Sequence, residues 1–117
     1  MVFGIRADGG FKIGLGHIYK AIWLGDALKA RGFEVVLLTT EDYVSNRLIA
    51  DQNFETVIFP KDWNESQKIQ QLNQWVFQKN PKFLVIDHWS WPKEFWTELE
   101  CQDKTILVGM DVPPEGI

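Results

Sequence analysis

Short, β-branched apolar runs alternate along this chain with longer stretches in which apolar residues recur every three or four positions. The short runs, residues 2–6, 34–39, 55–59, 82–87 and 104–109, read as strands. Val35-Val36-Leu37-Leu38 is continuously apolar, the pattern of a strand buried on both faces of a parallel sheet. The longer stretches read as helices. The first covers residues 17–31, with Ile18, Ala21, Ile22, Gly25 and Leu28 on one face and Gly32 as its stop. The second covers residues 42–51 and turns Val44 and Leu48 inward. The third starts at Asn64, pairs it with Gln67 in a capping box, and buries Ile69, Leu72 and Val76. A fourth starts near Ser90-Trp91-Pro92, where proline suits a first turn, and buries Phe95 and Leu99.

Strands and helices in strict alternation predict an α/β fold: a Rossmann-like, three-layer parallel sheet of order 3-2-1-4-5, formed by residues 1–117 as one domain. In such sheets ligands bind beyond the carboxyl ends of the strands, where the strand order reverses. That point lies between strands 1 and 4, so the loops at 7–16 and 87–91 are where chemistry is expected.

Composition narrows the function classes. At 117 residues, with 45% apolar and 24% charged side chains, the chain has the makeup of an ordinary globular domain. Twelve basic against sixteen acidic residues give a net charge of −4 and no basic stripe, which argues against nucleic-acid binding. The longest apolar runs fall far short of the roughly 20 residues of a membrane helix, and the first residues do not read as an export signal. The expectation is a cytoplasmic protein that meets no membrane. Cys101 is the only cysteine, which excludes an intrachain disulfide and a thiolate-rich zinc site. Two histidines and scattered acids lack any metal-ligand spacing, and no cofactor is implied.

The first candidate constellation is the loop Arg6-Ala7-Asp8-Gly9-Gly10-Phe11-Lys12-Ile13-Gly14-Leu15-Gly16-His17. Gly14 and Gly16 permit tight turning and let a ligand approach the backbone amides that open the first helix. It is not a dinucleotide fingerprint, because Tyr19 stands where a third glycine is needed and no acid clearly ends strand 2. His17 falls in the first helical turn, where free amides disfavour imidazolium; a neutral ring there suits a general base toward water or a hydroxyl. The competing reading is a histidine that caps its own helix. Arg6 and Asp8 flank the end of strand 1 and either pair with each other or leave Arg6, like Lys20 one turn into the helix, to meet a diphosphate.

The second constellation is Asp87-His88-Trp89-Ser90-Trp91 at the end of strand 4. Asp87 can orient His17, bind a substrate hydroxyl or hold a loop, and capping is an equal alternative. His88 ranks as a weaker second base. Trp89, Trp91, Phe95 and Trp96 form an aromatic cluster, of which Trp89 is the residue expected in the cleft.

Taken together, Ile5-Arg6-Ala7-Asp8, Ile13-Gly14-Leu15-Gly16-His17-Ile18-Tyr19-Lys20 and Val85-Ile86-Asp87-His88-Trp89 resemble one family. It is the UDP-sugar hydrolase family of pseudaminic acid biosynthesis, with its relatives in spore-coat polysaccharide biosynthesis. The resemblance covers nearly the whole chain. It implies the N-terminal half of a glycosyltransferase B fold and the removal of UDP from UDP-2,4-diacetamido-2,4,6-trideoxy-β-L-altropyranose by water attacking the anomeric carbon. It places His17 as the base, and Arg6, Asp8, Gly14, Gly16, Lys20, Asp87, His88 and Trp89 around the substrate. Two positions depart from the family pattern: Lys20 replaces an arginine's bidentate fork with a point charge, and Trp89 replaces a tyrosine and its hydroxyl.

Because the chain ends just after its fifth strand, the expected partner is a nucleotide-binding C-terminal domain or separate chain, without which this half is inactive. Two alternatives stand beside the hydrolase. One is the acceptor domain of a glycosyltransferase of the same fold, which needs the same base. The other is a non-catalytic assembly module that docks through its tryptophan-rich edge.

Overall fold

The computed structural model describes residues 1–10, 13–87, 98–100 and 105–110. Its elements, in chain order, are β1 (Val2–Ala7), α1 (Gly16–Ala30), β2 (Glu34–Thr40), α2 (Tyr43–Asp51), β3 (Glu55–Phe59), α3 (Glu65–Lys79), β4 (Phe83–Asp87) and β5 (Ile106–Met110). The sheet is parallel, and its four-stranded body has the order β3-β2-β1-β4, an α/β arrangement compatible with a Rossmann-like fold. β5 pairs with β4 in parallel, in register from Phe83 opposite Ile106 to Asp87 opposite Met110. The expected fourth helix, with Ser90, Trp91, Pro92, Phe95 and Trp96, lies outside the described residues, as do Cys101 and the tail from Asp111.

The two-residue period of the strands sorts side chains to opposite faces. Phe3, Ile5, Ala7, Val35, Leu37 and Val85 point to the face covered by α1 and α2, where Ile18, Ala21, Ile22, Ile49 and Phe54 meet them. Val36, Leu38, Leu84 and Ile86 point the other way, onto Ile69, Leu72, Trp75 and Val76 of α3. The Trp75 ring packs against Gly4: a Cβ there would come within 2.6 Å of it. A strand glycine thus makes room for the largest side chain of that layer.

Helix ends follow the sequence closely in α3. Asn64 accepts from the Gln67 amide and the Gln67 side chain accepts from the Asn64 amide, both at 2.9 Å. In α2 the expected inward face holds in part: Leu48 packs against the core, whereas Val44 does not turn inward. Ser45 and Ile49 are buried, while Val44 is 50% exposed. The reason is steric: Ser45 lies under Gly9, where a Cβ on the glycine would stand 2.6 Å from the serine hydroxyl. A small residue fits that contact and valine does not. Among the described residues, no helix is long and apolar enough to cross a membrane.

Candidate functional site

β1 and β4 are neighbours, with Ala7 opposite Asp87 at their carboxyl ends. Strand parity decides what each end presents. Asp87 falls two residues after Val85 and therefore on the α1 face, whereas Arg6 falls two residues after Gly4, on the α3 face. The two charged residues at this rim consequently have different fates.

Arg6 turns inward. It is 1% exposed, lies with its guanidinium 5.0 Å from the Phe59 ring centroid, and grips Asp8 with both terminal nitrogens at 2.5 and 3.0 Å. Asp8 also accepts from the Thr40 amide at 2.9 Å, so the exits of β1 and β2 are tied together. Burial alone would raise the Asp8 carboxyl. The Arg6 charge and hydrogen bonds, together with those of Thr40, outweigh it and hold the group well below the ordinary carboxylate range. Of the two sequence readings, mutual pairing is what the structure displays. These residues brace the loop from below, and the Arg6 guanidinium does not face the rim.

On that brace stands the glycine loop. Gly10 and Gly14 exchange backbone hydrogen bonds at 3.1 and 2.7 Å, which bridges these two positions of the loop. Gly14 has φ +83°, a left-handed conformation that a side chain would strain. Gly16 is different. Among the described residues, a Cβ there would meet nothing within 4 Å, so their packing does not demand glycine at the helix start.

Asp87 points up into this rim. Its side chain is 2% exposed, and its Oδ1 lies 3.0 Å from His17 Nδ1. A carboxylate only accepts, so Nδ1 is the donor of this pair, and the neutral form of the ring that makes this bond carries its lone pair on Nε2. Lys20, one turn further along α1, brings its ammonium to 3.6 Å from Asp87 Oδ2. Among the described residues, that buried oxygen accepts no hydrogen bond. One carboxylate thus serves an imidazole and an ammonium at the point where the strand order reverses. Of the roles open to Asp87, orienting His17 is the one its geometry performs.

No protein-family model matches this chain, and no curated protein does either.

Residues 16, 19, 20 and 23 share one stripe of α1, and with Ile13 and His17 they line an open groove of about 400 Å³. Ile13 is 53%, Tyr19 41% and Trp23 67% exposed. The two rings lie 6.3 Å apart, tilted by 33°. Sequence reasoning passed over this aromatic pair because it looked to the tryptophans after β4. The signal was present: Tyr19 and Trp23 stand four apart, each one position past the buried stripe of Ile18 and Ile22. His88 and Trp89, expected beside His17, lie outside the described residues. Among the described residues no group of three potential metal ligands occurs.

Proposed function

We propose that this chain is the catalytic-base half of a nucleotide-sugar hydrolase, organised as the N-terminal half of a glycosyltransferase B fold. The observation that carries the reading is the Asp87–His17 pair: a buried carboxylate 3.0 Å from Nδ1 of a partly exposed ring at the strand-order switch point. The resemblance in the loop and strand-end motifs supplies the substrate class, a UDP-linked diacetamido-trideoxy-hexose.

In this mechanism Nε2 of His17 takes a proton from water as the water oxygen bonds to the anomeric carbon. The bond from that carbon to the diphosphate oxygen breaks, and its electron pair leaves with UDP. Asp87 keeps the ring in the tautomer that frees Nε2 and stabilises the imidazolium that forms. Lys20 adds a positive charge on the side from which a diphosphate would leave. A nucleotide-binding domain or chain completes the cleft and holds the uridine.

The test is UDP release from UDP-2,4-diacetamido-2,4,6-trideoxy-β-L-altropyranose in ¹⁸O-water. It uses the chain alone and fused to the nucleotide-binding half of a hydrolase of the resembled family. The fusion is expected to release UDP and place the label on the anomeric carbon. His17→Ala should lower the rate by about 10²–10⁴ and Asp87→Asn by a similar factor, since each removes the working base. Unlabelled sugar, or turnover untouched by His17→Ala, would overturn the reading.

A further inference from the structure

β3 is an edge strand, paired with β2 on one side only. The Glu41 amide donates to the Phe59 carbonyl at 2.7 Å, so the Phe59 backbone faces β2. Alternation turns the backbone of Val57 and Glu55 the same way and leaves the N–H and C=O groups of Thr56 and Ile58 facing outward. Such a row is a template for another strand, and proteins that stay apart blunt it with proline, lysine or a bulge. None of these interrupts Thr56-Val57-Ile58-Phe59, which pairs with β2 in unbroken register; Pro60 and Lys61 come after it. Ile58 is 48% exposed.

Residues 43, 46, 47, 50 and 51 share one stripe of α2 and, with Ile58 and Lys61, line an open groove of about 740 Å³ beside this edge. Its polar groups already serve the fold. Asp42 caps α2, Glu41 accepts from the Lys61 amide, and Arg47 donates to the Tyr43 hydroxyl. A small ligand would have to displace these contacts, whereas an added strand needs only the open backbone of β3.

We infer that β3 pairs antiparallel with β3 of a second copy of this chain, about a dyad at Val57, so that the two sheets run on as one. The strand complements itself. With Val57 against its counterpart, Thr56 of each copy exchanges both backbone hydrogen bonds with Ile58 of the other, which satisfies every outward group of the strand. Charge follows the same dyad. Asp51 stands at the amino end of β3 and Lys61 at its carboxyl end, both on the groove, and antiparallel pairing sets one against the other. The groove holds Glu41, Asp42 and Asp51 against Arg47 and Lys61, close to balance in a chain of net charge −4, so copies meet here with little repulsion. β2 separates β3 from β1, so this pairing leaves the rim of His17 and Asp87 open and does not depend on the hydrolase reading.

The experiment is sedimentation equilibrium of the full 117-residue chain from micromolar to millimolar concentration, where the mass should rise from 13.6 kDa to twice that value. Ile58→Lys brings two like charges close to the dyad and should raise the dissociation constant about ten-fold or more. Because Ile58 is half exposed, circular dichroism of the dilute chain should stay unchanged. Thr56→Pro removes an outward N–H that the pairing with β2 does not use, and should act alike. Lys61→Glu should weaken the dimer, and Asp51→Lys added to it should restore pairing. In a Cys101→Ser background, Val57→Cys should cross-link two copies on mild oxidation, since opposed residues of this kind bring their Cα atoms to about 4.5 Å.

A single-chain mass throughout overturns the proposal. So does a dimer indifferent to both Ile58→Lys and Thr56→Pro, which would place its interface elsewhere. A dimer that does not cross-link through Val57→Cys overturns the dyad.

Discussion

Arg6 and Asp8 illustrate how a charged pair can belong to the scaffold of a site without taking part in its chemistry. Removing one member of a buried ion pair costs more than the pair contributes, because the survivor stays charged in a dry environment. Asp8→Asn should therefore lower the unfolding free energy by about 3 kcal/mol in urea titration, and the double change Arg6→Met, Asp8→Leu by clearly less. The pH dependence has a defined sign. The folded carboxyl titrates below its ordinary value, so its contribution is present above the unfolded pKa of roughly 3.9 and is lost as pH falls through the folded value. The stability gap between wild type and Asp8→Asn should stay level from neutral pH to about 5 and shrink below about 4. A gap that closed near neutrality would assign the dependence to another group.

At the level of elements, glycines divide into those the fold needs and those it does not. Gly9→Ala would press its Cβ to 2.6 Å from both Ile18 and Ser45, joining α1 and α2 too closely, and should cost about 1–3 kcal/mol of stability by thermal unfolding. Gly16→Ala meets none of the described residues and should change stability by less than about 0.5 kcal/mol. A fall in turnover in that variant would then report the approach of a ligand to the helix start. The Asn64 cap behaves conventionally, and Asn64→Ala should cost about 1 kcal/mol.

The same elements explain what the sequence could reveal. Strand parity and the 18-21-22-25 stripe of α1 were legible because burial on each face follows a fixed period. The orientation of His17 by Asp87 was among the readings because strand order puts the ends of β1 and β4 side by side. Ser45 was not legible, since its burial depends on a long-range contact with Gly9 and its polarity argues outward. Trp75 was missed similarly: the space it fills is created by Gly4, which in a strand reads as weakness. Tyr19 and Trp23 were hidden by a richer aromatic cluster elsewhere in the chain.

On the scale of the whole molecule, β1 is the centre of the structure, paired on both edges and covered on both faces. Hydrogen exchange followed by mass spectrometry should show β1 amides opening last, after those of β3, whose residues are the more exposed. Uniform protection across the sheet would contradict this. The rim that β1 and β4 carry is thus attached to a strand paired on both edges and covered on both faces, which suits a base whose reach depends on fixed geometry.

One consequence follows from Asp87 facing both Lys20 and His17. A carboxylate and an ammonium cancel, so the net charge of the cluster is that of the imidazole alone. With the ring neutral, the rim carries no net charge and an approaching anion gains little from it. Once the ring captures a proton, the same three groups carry +1, and the attraction appears at the moment a departing anion is created. Proton capture and anion retention are thereby one electrostatic event. Lys20→Met should leave the rim one positive charge short and weaken the binding of an inorganic diphosphate, measured by isothermal calorimetry.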